Sequence, residues 1–238
     1  MFSQSKYKMN LDIIIPVYNE KKTIEIVVNK VLQYKELNTK IIIVDDGSTD
    51  GTLDIINDLK KNHPNNIKVL SHDKNLGKGA AIRTAFRNLE SQIVLIQDAD
   101  LEYDPSDYPK LLDPIINNEA DVVYGSRFLG GQKVRVHLFW NYLANKLLTL
   151  TTNILVNMNF SDMETGYKVF KREVIESIEI EENSFTFEPE ITIKLSKKKY
   201  IFYEVPISYH GRSYQEGKKI KLIDAFLALY CLFKYRFF

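Results

Sequence analysis

The chain has 238 residues, 45% of them hydrophobic and 26% charged, enough apolar length for one globular domain, or one domain with a substantial appendage, and a composition that excludes intrinsic disorder and collagen-like fibre. Its 32 Lys and Arg stand against 31 Asp and Glu, a net charge of +1, which excludes the overall positive excess of a protein that coats nucleic acid. The single cysteine, Cys231, can form no intramolecular disulfide and suits a reducing compartment.

The first half alternates short apolar runs with amphipathic stretches. Ile13 to Ile15, Ile41 to Val44, Ile67 to Leu70 and Ile93 to Ile96 are mostly β-branched and each is followed by turn residues, the pattern of buried parallel strands. Between them, Thr23 to Leu32, Thr52 to Leu59 and Ala80 to Leu89 carry apolar residues at helical spacing, the second introduced by Ser48, Thr49 and Asp50 as candidate caps. A helix over about 106–117, containing Pro109 and Pro114, precedes a fifth strand at Asp121 to Tyr124. This βαβ order predicts an α/β fold with a mostly parallel sheet and a nucleotide-binding half. The early apolar run Leu11 to Val17 is short and interrupted by Asp12 and Pro16, so no signal peptide is expected, and no run reaches the roughly 18 apolar residues of a spanning helix.

Beyond Gly131 the texture changes. Val136 to Val156 predicts a long helix too rich in apolar residues for one narrow stripe. A strand is expected over Val205 to Ser208, and Leu222 to Phe238 mixes Ile223, Phe226, Tyr230 and Phe233 with the basic residues Lys221, Lys234 and Arg236, which suits either an interfacial helix or one docked on protein. From Lys194 onward ten Lys or Arg face three acids, a local charge of +7. The expected division is a catalytic domain over 1–218 and an amphipathic helix over 219–238 that is drawn to an anionic membrane surface.

Three strand-end loops carry chemistry. Gln97-Asp98-Ala99-Asp100-Leu101-Glu102 follows the fourth strand; in extended chain alternate residues share a side, and carboxylates brought together invite a hard divalent cation such as Mg²⁺ or Mn²⁺. Asp45-Asp46-Gly47-Ser48-Thr49-Asp50-Gly51 reads as a turn and capped helix, yet its paired acids suit ribose or base N–H recognition. Asn75-Leu76-Gly77-Lys78-Gly79 matches neither the Walker pattern nor G-x-G-x-x-G, which disfavours an ATPase or a Rossmann dehydrogenase. Arg127, Arg135, Arg212 and Lys218 are candidate anion binders, since guanidinium groups hold phosphate through two bonds. Glu164 is a candidate base or sugar contact, Asp162, Glu188 and Glu190 are further acidic candidates, of which Glu188-Pro189-Glu190 most simply begins a helix, and the four histidines lack metal-ligand spacing.

With Ile13-Ile14-Ile15-Pro16-Val17-Tyr18-Asn19-Glu20, Gly125-Ser126-Arg127-Phe128 and Gly166-Tyr167-Lys168-Val169-Phe170, these loops occur in an order that resembles family 2 glycosyltransferases, most of all the branch that makes dolichyl- or polyprenyl-phosphate sugars. The resemblance runs from Leu11 to about Lys221. It implies a GT-A fold and inverting transfer of a hexose from a UDP- or GDP-linked donor to polyprenyl phosphate, at the cytoplasmic face of a membrane. It implies donor-nucleotide positions at Pro16, Tyr18, Glu20, Asp46 and Lys78, with Asp45 and Ala99 beside them. It further implies metal and diphosphate positions at Asp98 and Asp100, with Glu102 as a further metal candidate, and an acceptor-phosphate position at Arg127, joined by Arg135 and Arg212. Position 102 departs from the dolichyl enzymes, which carry Gln there. Two alternatives stand beside this reading: transfer to a carbohydrate hydroxyl, which needs a carboxylate base, and a subunit that binds nucleotide sugar without turnover.

Overall fold

A computed structural model describes residues 10–34, 38–136, 138–212 and 222–238. Along the chain run β1 (Asn10–Val17), α1 (Ile24–Leu32), β2 (Asn38–Asp45), α2 (Thr52–Asn62), β3 (Ile67–Ser71), α3 (Lys78–Phe86), β4 (Ile93–Ile96), a 3₁₀ turn (Pro105–Asp107), α4 (Tyr108–Ile116), β5 (Val122–Ser126), α5 (Phe139–Val156), β6 (Lys168–Lys171), α6 (Arg172–Glu176), α7 (Phe187–Ser196), β7 (Phe202–Pro206) and α8 (Leu222–Phe237). One seven-stranded sheet has the order β3-β2-β1-β4-β6-β5-β7. Every pairing is parallel except those of β6, which is antiparallel to both β4 and β5.

The five predicted strands of the first half are present. Their apolar runs are continuous because both faces of the sheet are covered. On β1, Ile13 and Ile15 enter one core cluster with Val27 and Val28 of α1 and Leu111 of α4, while Ile14 enters the other with Ala81 and Ile82 of α3 and Ile191 of α7. That alternation is the two-residue period of a pleated strand. The predicted helix with two prolines is a 3₁₀ turn followed by α4: Pro109 occupies the first turn, where a missing N–H costs nothing, and Pro114 lies inside.

Other expectations shift. The long helix begins at Phe139, with Val136 almost fully exposed before it, and the last strand begins three residues and ends two residues earlier than expected, at Phe202–Pro206. Strand β6 and helix α6 had no counterpart in the sequence reading. Helix α8 packs on α5 and α7 through Ala228, Cys231, Leu232 and Tyr235, which join Leu148, Met163 and Ile193 in a third core cluster. Its other face leaves Phe226, Tyr230, Phe233 and Phe237 exposed, and α5 leaves Phe139, Trp140, Leu147, Leu150 and Ile154 exposed. The expected boundary at 218 and 219 lies outside the described residues.

Candidate active site

Parallel strands β1, β2 and β4 lie side by side, so the loops leaving their carboxyl ends meet, the edge where α/β sheets bind ligands. Pro16 and Val17, the last residues of β1, pair in register with Val44 and Asp45 of β2. Beyond them Tyr18 leads into Asn19, whose φ of 52° turns the chain; the Asn19 N–H donates to Ser48 Oγ at 2.9 Å and its Oδ1 accepts from Thr49 N at 2.8 Å. Two loops are thereby tied into one wall. The expected caps of α2 are replaced by Gly51, in left-handed backbone at φ 90°, and Asp50 accepts from Thr52 N at 3.0 Å.

The paired acids do different things. Asp46 is buried and fully engaged: it accepts from Leu76 N at 3.0 Å and Gly77 N at 2.7 Å, and its Oδ1 meets His72 Nδ1 at 2.7 Å. It fastens the Gly77 loop to β2. Gly77 itself, at φ 104°, has no room for a Cβ, which would stand 2.2 Å from the Asn183 carbonyl oxygen. Asp45 accepts from Ser48 N at 3.1 Å through Oδ2, while its buried Oδ1 has no hydrogen-bond partner. A buried carboxylate oxygen left open is costly, so Asp45 is the acid of this pair with acceptor capacity to offer a ligand.

After β4 the acids acquire cations. Lys78 reaches Asp98 Oδ1 at 2.8 Å and Glu188 Oε1 at 3.2 Å; burial works against its charge, but Asp98 and then Glu188 outweigh that and hold its pKa above the ordinary value. Behind Glu188 lies Lys168, fully buried, donating to Glu188 and to the carbonyls of Met163 and Thr165. Four alternating charges therefore run from the core outward: Lys168, Glu188, Lys78, Asp98. Ala99 is buried beside them. Arg212, in the loop after β7, places Nη2 2.8 Å from Asp100 Oδ2 and Nη1 3.2 Å from Glu20 Oε1. Burial first, then the charges of Asp98 and Glu102, push Asp100 up to about 7 against the pull of Arg212.

The expected acceptor arginines take different partners, though all three meet in the segment 209–212. Arg127 holds Asp162 through Nε at 2.7 Å and Nη2 at 2.6 Å, and lies over the ring of Tyr209 at 5.2 Å. Arg135 is exposed and donates from Nη1 to the Gly211 carbonyl at 3.0 Å, while Lys218 lies outside the described residues. Asp162, Glu164 and Glu188 were legible only as candidates. Lys168 carried no signal beyond its place in Gly-Tyr-Lys, because nothing in a sequence marks a lysine for full burial.

For a divalent cation, the donor set fits in part. Asp98 and Asp100 are hard oxygen donors two residues apart, and burial, followed by the charges of Asp98 and Glu102, disfavours ionised Asp100 despite Arg212, a crowding that a cation would relieve. No cluster of three acidic, His or Cys ligands exists among the described residues. Two carboxylates with the remaining positions open to phosphate oxygens is the arrangement Mg²⁺ commonly accepts.

The family model described as "Glycosyl transferase family 2" matches residues 12–179, well over half of the chain. The chain belongs to glycosyl transferase family 2. This glycosyltransferase is 31% identical over 232 residues to a dolichol-phosphate mannosyltransferase of Pyrococcus furiosus, with 95% of the chain aligned. It spans 64% of that relative's length. It is 28% identical over 206 residues to a polyprenol monophosphomannose synthase of Mycolicibacterium smegmatis, covering 84% of the chain and 77% of the relative. Among solved structures, glucosyl-3-phosphoglycerate synthase from Mycobacterium tuberculosis, in complex with Mn²⁺, uridine diphosphate and phosphoglyceric acid, superposes with a TM-score of 0.71 at 17% identity, covering 97% of this chain and 79% of that one. That likeness establishes the GT-A fold of the family 2 enzyme.

Proposed function

We propose that this glycosyltransferase moves a hexose, with inversion, from a nucleotide diphosphate sugar to a polyprenyl phosphate. The observation that carries the reading is the meeting of Asp98 and Asp100 with two cations from separate segments, Lys78 at the start of α3 and Arg212 after β7. A reaction between a diphosphate leaving group and a phosphate nucleophile must hold two anions close together, and this is a site of mixed charge built for it. The names of the relatives supply the acceptor class.

In this reading Asp45, Pro16, Tyr18 and Glu20 line the nucleoside end, with Asp46 holding the Gly77 loop in place behind them, and Lys78 with Asp98 and Asp100 faces the diphosphate. Bound there, Mg²⁺ or Mn²⁺ would neutralise charge on the departing diphosphate. Lys78, kept protonated by its two carboxylates, lies on the same side. Arg212 and Arg127 orient the acceptor phosphate for in-line attack on the anomeric carbon; a phosphate monoester has a second pKa near 6 and is ionised at neutral pH, so no strong base is needed.

The exposed apolar faces of α5 and α8 support operation at a membrane surface, with Trp140 and Phe226 74% and 62% exposed. No helix among the described residues is long and apolar enough to cross one. Rings packed on the surface with basic residues nearby suit the headgroup layer. The test is a panel of UDP- and GDP-linked hexoses incubated with short polyprenyl phosphates in the presence of Mg²⁺ or Mn²⁺; lipid-linked sugar from none of them, with donor intact, would overturn the proposal.

One observation favours a second reading. Burial and the neighbouring Glu188 carboxylate push Glu164 up to about 7, and its Oε1 is buried with no hydrogen-bond partner, as a general base poised near neutral pH would be. Transfer to a carbohydrate hydroxyl, lost in Glu164→Gln, would establish it in place of the first.

A further inference from the structure

Glu102 stands two residues beyond Asp100, where a third ligand of the cation is expected, yet its side chain is committed elsewhere. Leu101 between them has φ 64°, a left-handed backbone uncommon outside glycine. The kink breaks the alternation of extended chain: the Glu102 N–H donates to Asp100 Oδ1 at 3.1 Å, and the Glu102 carboxylate turns to the loop after β7. There Oε1 accepts the Arg212 main-chain N–H at 2.9 Å and lies 3.4 Å from Arg212 Nε. Oε2 accepts the Tyr209 hydroxyl at 2.8 Å, and the Glu102 carbonyl accepts His210 N–H at 2.9 Å. One residue thus fastens positions 209, 210 and 212, with its side chain only 12% exposed.

We propose that Glu102 is a positioning residue for Arg212, and not a ligand of the divalent cation. Its two oxygens are spent on protein donors, and the geometry they impose sends the Arg212 guanidinium to Asp100 and Glu20, bridging the loops after β1 and β4. A guanidinium has several rotatable bonds, and holding both the main-chain nitrogen and Nε of the same arginine removes most of that freedom. A glutamate serves better than glutamine here because both oxygens must accept: glutamine keeps one acceptor and presents an NH₂ where the other was. The departure at position 102 then has a physical reason in Arg212. The proposal rests on the sugar-transfer reading only for Arg212's part in turnover.

The first measurement is amide hydrogen exchange across 209–212, in wild type and in Glu102→Ala, with the β4 amides as the internal check of folding. The Arg212 amide is expected to exchange at least tenfold faster in the variant while β4 is unchanged; an unchanged Arg212 rate overturns the proposal whatever the protein's reaction is. The second is Mn²⁺ binding followed by electron paramagnetic resonance, with whichever of UDP or GDP the wild type binds more tightly. Glu102→Ala, which removes both side-chain oxygens and whose folding the β4 amides check, should stay within about twofold of wild type, and a tenfold or larger loss makes Glu102 a metal ligand and overturns the proposal. The third is a double-mutant cycle on transfer: Glu102→Ala combined with Arg212→Ala should be no slower than Arg212→Ala alone, and multiplying losses overturn it. Absence of transfer from any donor would sink the proposed function while leaving the exchange measurement to decide on Glu102.

Discussion

Arg127 and Asp162, 35 residues apart in the chain, meet through two parallel hydrogen bonds of 2.7 and 2.6 Å, and Asp162 also accepts the Arg127 main-chain N–H at 3.0 Å. Asp162 is fully buried, so this is a desolvated pair whose worth lies in staying intact. Asp162→Ala leaves a buried guanidinium without its partner, for which the expected loss is about 3–5 kcal/mol of unfolding free energy. Urea denaturation of the two proteins measures it, and a loss below about 1 kcal/mol would mean that Arg127 finds another partner or water.

Gly166 is bound to its identity by Asp98. A Cβ there would stand 2.2 Å from Asp98 Oδ2 and 2.9 Å from Tyr103 Cε2, and the Gly166 N–H donates to Tyr103 Oη at 2.9 Å. Gly166→Ala must therefore push the Asp98 carboxylate off Lys78. The expected result is a folded protein whose nucleotide affinity falls at least tenfold, read by calorimetric titration with UDP or GDP and divalent metal.

Asp100→Asn keeps the shape of the site and removes the charge that Arg212 and a divalent cation share. Transfer and metal-dependent nucleotide binding should both be abolished, with the melting temperature retained or raised, because a buried carboxylate crowded by Asp98 and Glu102 has been taken away. Near-normal turnover in this variant with metal chelated would remove the metal-diphosphate assignment.

Glu164 makes stability depend on pH. Its carboxyl is pushed up to about 7, first by burial and then by Glu188, against about 4.3 for an unfolded glutamate. Between those values the folded chain holds more protons than the unfolded one, so this group's contribution to stability falls as pH rises through that window and the penalty is complete above 7. Urea midpoints at pH 5 and pH 8 should therefore differ more in wild type than in Glu164→Gln. Equal differences would place the carboxyl at its ordinary value.

The apolar face shared by α5 and α8 gives a direct prediction for vesicle flotation. Fully burying one aromatic side chain contributes about 2 kcal/mol, so replacing Trp140 and Phe226 together by Ser should lower recovery with anionic vesicles more than tenfold while hydrolysis of soluble donor is unchanged. Wild-type recovery that is equal with neutral vesicles, or absent with both, counts against membrane docking.

What was legible in the chain follows from how local each signal is. The central strands β1, β2 and β4 announced themselves because both faces are buried and their apolar runs are rich in Ile and Val, while edge strand β3, partly buried and interrupted by Lys68, still read as a strand from its β-branched residues. Strand β6 did not: Lys168-Val169-Phe170-Lys171 is four residues with a charge at each end, and its strand character comes from pairing with β4 and β5. The loop residues Asp98, Asp100 and Lys78 were visible from position alone. Their wiring was not, since Lys78 meets Glu188 across 110 positions and Arg212 meets Glu20 across 192. Asp46, singled out with Asp45 for the ligand, is occupied by His72 and the Gly77 loop, a distinction that requires knowing which strand-end loops touch.

The place of β6 in the sheet has a consequence for the chain as it is being made. Strand β4 ends at Ile96, and the partner that covers its free edge ends at Lys171, 75 residues later. At a synthesis rate of about 5–20 residues per second, the edge of Ile93-Val94-Leu95-Ile96 stays unpaired for roughly 4–15 s after it emerges, an apolar template open to other nascent chains. Only when β6 docks is that hazard closed, and the same event brings Gly166 against Asp98, while Glu188 and Arg212, which complete the charges of the site, lie further along the chain.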